Sequence, residues 1–286
     1  MTRLRPLTIT ATLAGLALLS FSSYLIASAE EYITGIQWET PPIVDPGETD
    51  DAPPSDAVVL FGKSSDTANW KNGERWTTDG DILIAGKGPI TSKQEFGDCQ
   101  IHVEWSAPVP AVGEGQGRGN SGIFMMGIYE LQVLDSYENT TYVDGQAGAI
   151  YKQHPPMVNA MRKPGQWNTY DIIWTAPKFD DQGELTSPAY ITAIHNGVVI
   201  QNHFELKGDT PFNRPPQYKA HKPTGPISIQ DHNNPVRFRN IWVRPIRELT
   251  GEQSQPATTL TRPEQKKPAK SEKKSPKKSE SDSPNP

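Results

Sequence analysis

Apolar and polar residues alternate over short stretches through most of the chain, the period of strands with one buried face. In residues 100–106, Ile101, Val103 and Trp105 fall on one side. In YELQV, residues 129–133, Tyr129, Leu131 and Val133 share a face, and Glu130 and Gln132 share the opposite one. The stretches 58–61, 123–134, 167–174 and 236–243 read as further strands. A hairpin is expected within 74–85, turning at Asp79-Gly80, and a second in YITAIHNGVVIQ, turning at Asn196-Gly197; both pairs suit a type I′ turn. Helical periodicity is not sustained anywhere, and no segment repeats. Many strands of similar length between Gly, Pro and Asn turns predict an all-β fold, a two-sheet antiparallel jelly-roll sandwich.

The ends of the chain differ from its body. Arg3 and Arg5 precede an apolar run from Leu7 to Ile26, and Ala27-Ser28-Ala29 offers a small-x-small cleavage site. Residues 1–29 therefore read as an export signal, which predicts a periplasmic, extracellular or envelope location. The alternative is an uncleaved anchor, since the run approaches the ~20 residues that span a bilayer; only in that case is a membrane a partner. Residues 30–54 are rich in Pro, Asp and Glu and read as a linker, 55–247 as the folded domain, and 248–286 as a disordered Lys/Ser/Pro/Glu-rich tail.

Charge is divided unevenly. From residue 262 to 286 there are eight Lys/Arg and four Asp/Glu, a surplus of +4, so the formal net charge of −5 leaves −9 on the remainder. An acidic body argues against nucleic acid as a partner. The basic tail suits either a solubilising extension or contact with an anionic envelope. The single cysteine, Cys99, excludes an intramolecular disulfide and reads as a buried strand residue.

Polar side chains interrupt two of the strand-like runs where a sheet normally presents packing groups. Glu130 is the first candidate for proton transfer, because a carboxyl in a partly buried cleft has its pKa raised towards neutrality; the alternative is a solvated Glu on an exposed face. Gln132, on the same face, can donate to and accept from sugar hydroxyls. Asp135 lies on the other parity and is either a second carboxylate or a turn residue. In GPISIQDHNNPVRFRNIWVRPI, Gln230 and His232 share a face, as do Arg237 and Arg239. His232 can act as a base, a metal ligand or a hydrogen-bonding residue, while Asp231 faces away and suits a turn amide. The two arginines can hold a substrate oxygen, pair with Glu130, or form structural ion pairs across a sheet. Lys152, His154 and Asn159 sit in a loop, where specificity residues often lie. Tyr151 and Trp167 can stack on a sugar ring or pack in the core. Asn120-Ser121 reads as a Gly-flanked turn, and Asn139-Thr140-Thr141 matches a glycosylation sequon. Gathered Glu, Gln, His and Arg on a sheet face have the character of a saccharide-binding cleft.

LFGKSSDTANW, ITSKQEFGDCQIHVEW, GNSGIF, YELQVLDSY, GAIYKQHPP, GQWNTYDIIW, HNGVVIQN and QDHNNPVRFRNIWVRP occur in the order found in the DUF1080 domain, also named the 3-keto-disaccharide hydrolase domain. The chain resembles that family over residues 57–246. The resemblance implies a concanavalin A-like jelly roll and hydrolysis of glycosides whose C3 hydroxyl is oxidised to a ketone. The family commonly carries Gly after Gln-Asp-His, where this chain has Asn233-Asn234; Asn tolerates positive φ and preserves such a turn.

A 3-keto group acidifies the C2 proton, so Glu130 or His232 can remove it. The C1 leaving group then departs by elimination and water adds to the enone, with Arg237, Arg239 or a divalent cation stabilising the enolate. No zinc-type spacing is present, and the sequence requires no cofactor. Ordinary two-carboxylate glycoside hydrolysis ranks lower, since Gln132 stands where a second acid is expected. The rival functions are a non-catalytic carbohydrate-binding module and a structural envelope protein.

Overall fold

The computed structural model describes residues 28–263; the expected export signal, save its last two residues, and the Lys-rich end of the tail lie outside them. In chain order the first strands are β1 (Ser28–Ile33), β2 (Ile36–Trp38), β3 (Val58–Phe61), β4 (Trp70–Lys71), β5 (Thr77–Asp79) and β6 (Ile82–Ile84). There follow β7 (Ile90–Phe96), β8 (Cys99–Ser106), β9 (Ser121–Met125), β10 (Tyr129–Val133) and β11 (Asn168–Thr175). The rest are β12 (Lys178–Phe179), β13 (Leu185–Ser187), β14 (Tyr190–His195), β15 (Val198–Glu205), β16 (Gly225–Ile229), β17 (Arg237–Pro245), β18 (Gly251–Gln253) and β19 (Thr258–Pro263).

The residues fall into two compact units. One holds the residues up to Glu39 and those from Thr250, where β1 pairs with β19 and β2 with β18, all antiparallel. Strands thus occur in segments whose composition reads as linker and tail. Backbone pairing needs no apolar alternation, so composition misses it.

The second unit, Thr40–Leu249, is a β-sandwich of the jelly-roll class. One sheet runs β10-β9-β16-β7-β4, and the other β15-β14-β11-β8-β17-β6-β5, with β3 also on β17. Alternation is the cause: Ile101, Val103, Trp105, Tyr129, Leu131, Val133, Tyr170 and Ile172 are buried in one shared core. Tyr129 packs on Trp174 at 5.2 Å, and the Tyr170 hydroxyl donates to the Gln132 carbonyl at 2.9 Å, so aromatic side chains bind the two sheets together. Cys99 is buried and unpaired.

The Asn196-Gly197 hairpin forms as expected, with φ of +53° and +80° between His195 and Val198. The other hairpin is shifted by one residue. Asp79 pairs with Ile82, so the loop is Gly80-Asp81, and Gly80 at φ +61° occupies the first position of a II′-type turn.

On the outer face of the larger sheet, β8 carries polar residues that are nevertheless buried. His102 stacks on Trp242 at 5.1 Å, and its Nδ1 lies 2.7 Å from Asp171 Oδ1. Glu104 sits 3.8 Å from His102 Nε2, 2.7 Å from Arg239 Nε and 2.9 Å from Asn240 Nδ2. The Pro- and Asp-rich segment before β3 is fastened over this face: the Asp51 carbonyl accepts from Asn240 Nδ2 at 2.8 Å and Trp242 Nε1 at 3.2 Å. Asp56 receives both its bonds from Arg244 Nε, at 2.8 and 2.9 Å.

Burial alone pushes the His102 pKa down, but the Asp171 and Glu104 carboxylates outweigh it and raise it to about 9. Burial likewise opposes ionisation of Glu104, yet His102, Asn240 and Arg239 hold it at about 2. A raised histidine stabilises fully below its unfolded value near 6.5 and loses that contribution as pH rises to about 9. A depressed carboxylate stabilises above its unfolded value near 4.5 and loses it as pH falls towards 2. The melting temperature of His102→Gln should therefore lie furthest below that of the native protein near pH 5–6, with the gap closing by pH 9. A gap constant across that range would contradict the assignment.

Candidate functional site

The site begins with a register. The hairpin β9–β10 pairs Phe124 with Glu130 and Gly122 with Gln132. Alternation sends Ile123, Met125, Tyr129, Leu131 and Val133 to the core. Gly122, Phe124, Glu130 and Gln132 consequently share the other face.

That face belongs to the edge strand of its sheet, and an edge strand has unpaired backbone groups that need partners. The loop after it supplies them. Gln132 N donates to the Ala149 carbonyl at 2.9 Å, Gly148 N to the Gln132 carbonyl at 2.8 Å, and Tyr151 N to the Glu130 carbonyl at 3.3 Å. Further along the same edge Thr210 Oγ1 accepts from Glu130 N at 3.1 Å and donates to the Ile128 carbonyl at 3.2 Å. Between these loops is a cavity of about 570 Å³, well within the range of small-ligand sites. Glu130, Gln132, Gln230 and His232 line it, with Gln116 and Asn120. Phe124, Tyr142, Tyr151, Thr210 and Phe212 complete the wall.

Glu130 is 5 % exposed and its carboxyl lies directly on the Gly122 backbone. A Cβ at position 122 would stand 2.1 Å from Glu130 Oε1, so only glycine leaves room for the acid there. Burial, with no compensating cation, raises the Glu130 pKa to about 8. The carboxyl is therefore predominantly protonated at neutral pH. Beside it the Tyr142 and Tyr151 hydroxyls are 2.7 Å apart. Burial and the bond to Tyr142 push the Tyr151 phenol well up, which keeps it a neutral donor. Lys152 holds its Nζ 3.4 Å from the centre of the Tyr142 ring and 3.9 Å from Asp144, outside the cavity wall.

Gln230 and His232 arrive from the end of β16. Gln230 N donates to the Gly122 carbonyl at 2.9 Å, and Ser121 Oγ donates to the Gln230 carbonyl at 2.6 Å. Asp231 points away as its parity requires, accepting from Gly88 N at 2.9 Å and Asn233 N at 2.7 Å. Asn233 has φ +59°, so asparagine takes the left-handed turn, and the neighbouring Asn234 Oδ1 accepts from Asn120 N at 2.7 Å. The turn thereby braces the cavity wall.

Other residues that the sequence offered lie elsewhere. Arg237 and Arg239 belong to β17, in the opposite sheet. Arg239 pairs with Glu104 and stacks on Trp167 at 4.2 Å, while Arg237 donates to Ser106 Oγ at 3.0 Å; neither lines the cavity or meets Glu130. Trp167 is consequently no wall of the site. Asp135 is buried in an ion pair with Arg118, 2.9 Å from its Nε, and accepts from Tyr137 N at 3.2 Å, outside the cavity that Glu130 lines. His154 bonds Gln201 at 2.9 Å and stacks on Phe204, and Asn159 donates to the Ser136 carbonyl at 2.9 Å, so both fasten loops. Among the described residues no group of three His, Cys, Asp or Glu side chains is placed to hold a metal ion.

Gln116, Phe124, Tyr142, Thr210 and Phe212 join the site from outside the residues that the sequence pattern singles out, and Asn120 carries only a turn signature there. Phe124 alone carried a signal, since its parity in β9 opposes that of Ile123 and Met125.

A family model described as the 3-keto-alpha-glucoside-1,2-lyase-like domain matches residues 56–244. The chain belongs to this family. A candidate glycosyl hydrolase from Parabacteroides distasonis ATCC 8503 is 46 % identical, covering 73 % of this chain and 93 % of its own, with a TM-score of 0.69. A second from the same organism is 22 % identical over 66 % of this chain and 99 % of its own, at a TM-score of 0.50, and speaks to the fold alone. No curated protein matches.

The buried acid of this family member gives a stability test that needs no substrate. A folded carboxyl that keeps its proton to about 8, against an unfolded value near 4.5, makes the folded state bind more protons between those values. Stability contributed by Glu130 is thus present below about pH 4.5 and lost as pH rises towards 8. Glu130→Gln, neutral throughout, should match the native protein near pH 5 and exceed its melting temperature at pH 8.5. Equal melting temperatures at pH 8.5 would show the carboxyl to be solvated.

Proposed function

We propose that this protein cleaves the glycosidic bond of 3-keto-glycosides, disaccharides among them, by elimination across C1 and C2 followed by hydration. The observation that carries the reading is a carboxyl kept neutral by burial, set on the cavity wall with His232, in a chain of this family. The matching candidate glycosyl hydrolase, 46 % identical, supports action on glycosides.

In this account the aromatic groups Phe124 and Phe212 provide apolar surface for a pyranose, and the amides bind its hydroxyls. His232 takes the C2 proton, whose acidity comes from the adjacent ketone. The electron pair forms the enolate, and the Tyr142–Tyr151 hydroxyl pair donates to its oxygen. The enolate then expels the C1 substituent, and Glu130 gives its proton to the departing oxygen. The products are a free alcohol and a 1,2-enone. Water adds to C1 as Glu130 carboxylate accepts its proton, and His232 returns a proton to C2, which regenerates both groups. Glu130 acts as the acid rather than the base because it enters the cycle protonated.

Glu130→Gln should lower kcat by about 10²- to 10⁴-fold for a poor leaving group and far less for an activated aryl leaving group that departs without protonation. For the native enzyme, kcat/KM should fall above about pH 8, where Glu130 ionises. Turnover in deuterated water should place deuterium at C2 of the released 3-keto sugar. A product free of deuterium at C2 would exclude the enolate, and equal losses for both leaving groups would remove Glu130 from the acid role.

A further inference from the structure

The cavity contains a hydrogen-bond acceptor with no donor, and a backbone carbonyl fixes its direction. The Gly145 carbonyl can only accept. It lies 2.8 Å from Gln116 Nε2 and 3.3 Å from Gln132 Nε2, so both carboxamides must turn their nitrogens towards it. Gln116 Nε2 also donates to Thr141 Oγ1 at 3.0 Å. With its nitrogen so held, Gln116 presents Oε1 to Gln132 Nε2 at 3.0 Å. Both protons of the Gln132 amide are now engaged. Turning either amide over would set oxygen against oxygen. Gln132 Oε1 is left without a hydrogen-bond partner in a residue only 1 % exposed that lines the cavity.

A buried acceptor without a donor costs free energy that a ligand donor would recover. We propose that Gln132 Oε1 reads one hydroxyl of the saccharide, and that the cavity thereby discriminates among sugars at that single position. This inference rests on the saccharide reading given above.

Binding to the full chain carrying Glu130→Gln, which slows turnover, tests this when read before the ligand is consumed. The ligands are a 3-keto-disaccharide and its 2-, 4- and 6-deoxy derivatives in the ring that bears the ketone. One deoxy derivative should bind about 10- to 100-fold more weakly, and the others nearly as well as the parent. Adding Gln132→Met should weaken the parent by the same factor as the sensitive deoxy change, with no further loss when the two are combined. The deoxy series requires no change at Gln132, so it decides the matter even where methionine is not tolerated. Even losses across all positions would overturn the inference. Absence of any saccharide binding would overturn it together with the saccharide reading. The expected pattern in a protein that leaves 3-keto-disaccharides intact would uphold it and refute the enzyme.

Discussion

An edge strand that must be covered organises this site. β10 ends its sheet, so its backbone demands partners on the free side, and residues 148–151 and Thr210 provide them. Closing the edge also roofs the outward face of β10. Glu130 and Gln132, which alternation alone would leave in water, are buried without entering the core. The raised Glu130 pKa, its seat on Gly122, the orientation of the Gln132 amide and the cavity itself all follow from that coverage.

The two sheets divide the work. The larger one carries on its outer face a network in which each buried charge has an opposite partner: His102 with Asp171, Glu104 with Arg239. There burial is compensated, and the charged forms persist. The smaller sheet buries Glu130 with no cation opposite, and the neutral form persists. The same carboxyl chemistry thus gives an anion on one face and a neutral acid on the other, as desolvation and partner charge dictate.

How far the sequence discloses this depends on the range of each interaction. Period-two alternation is local, so the face shared by Glu130 and Gln132, the inward set Ile101, Val103 and Trp105, and the Asn196-Gly197 hairpin were all legible. So was the bond from Asp231 to a turn amide, which needs only parity and a short side chain. Arg237 and Arg239 show where local reasoning ends. Parity gives the face a residue takes within its strand but not the sheet that strand joins, and the chain changes sheets between β16 and β17. Gly80-Asp81 displaced Asp79-Gly80 because pairing of Asp79 with Ile82 sets the loop, and that register depends on the partner strand. Tyr142, Thr210 and Phe212 reach the cavity from loops distant in sequence, and no periodicity marks them. Asn120 carried a turn signature that hid its place on the wall.

The proposed chemistry depends on a ketone at C3. It is tested most directly by incubating the protein with a 3-keto-disaccharide and with the same disaccharide unoxidised, and following release of the second sugar. Cleavage of the keto compound alone is expected. Cleavage of the unoxidised disaccharide at a comparable rate would contradict it, since no acidic C2 proton would then be needed.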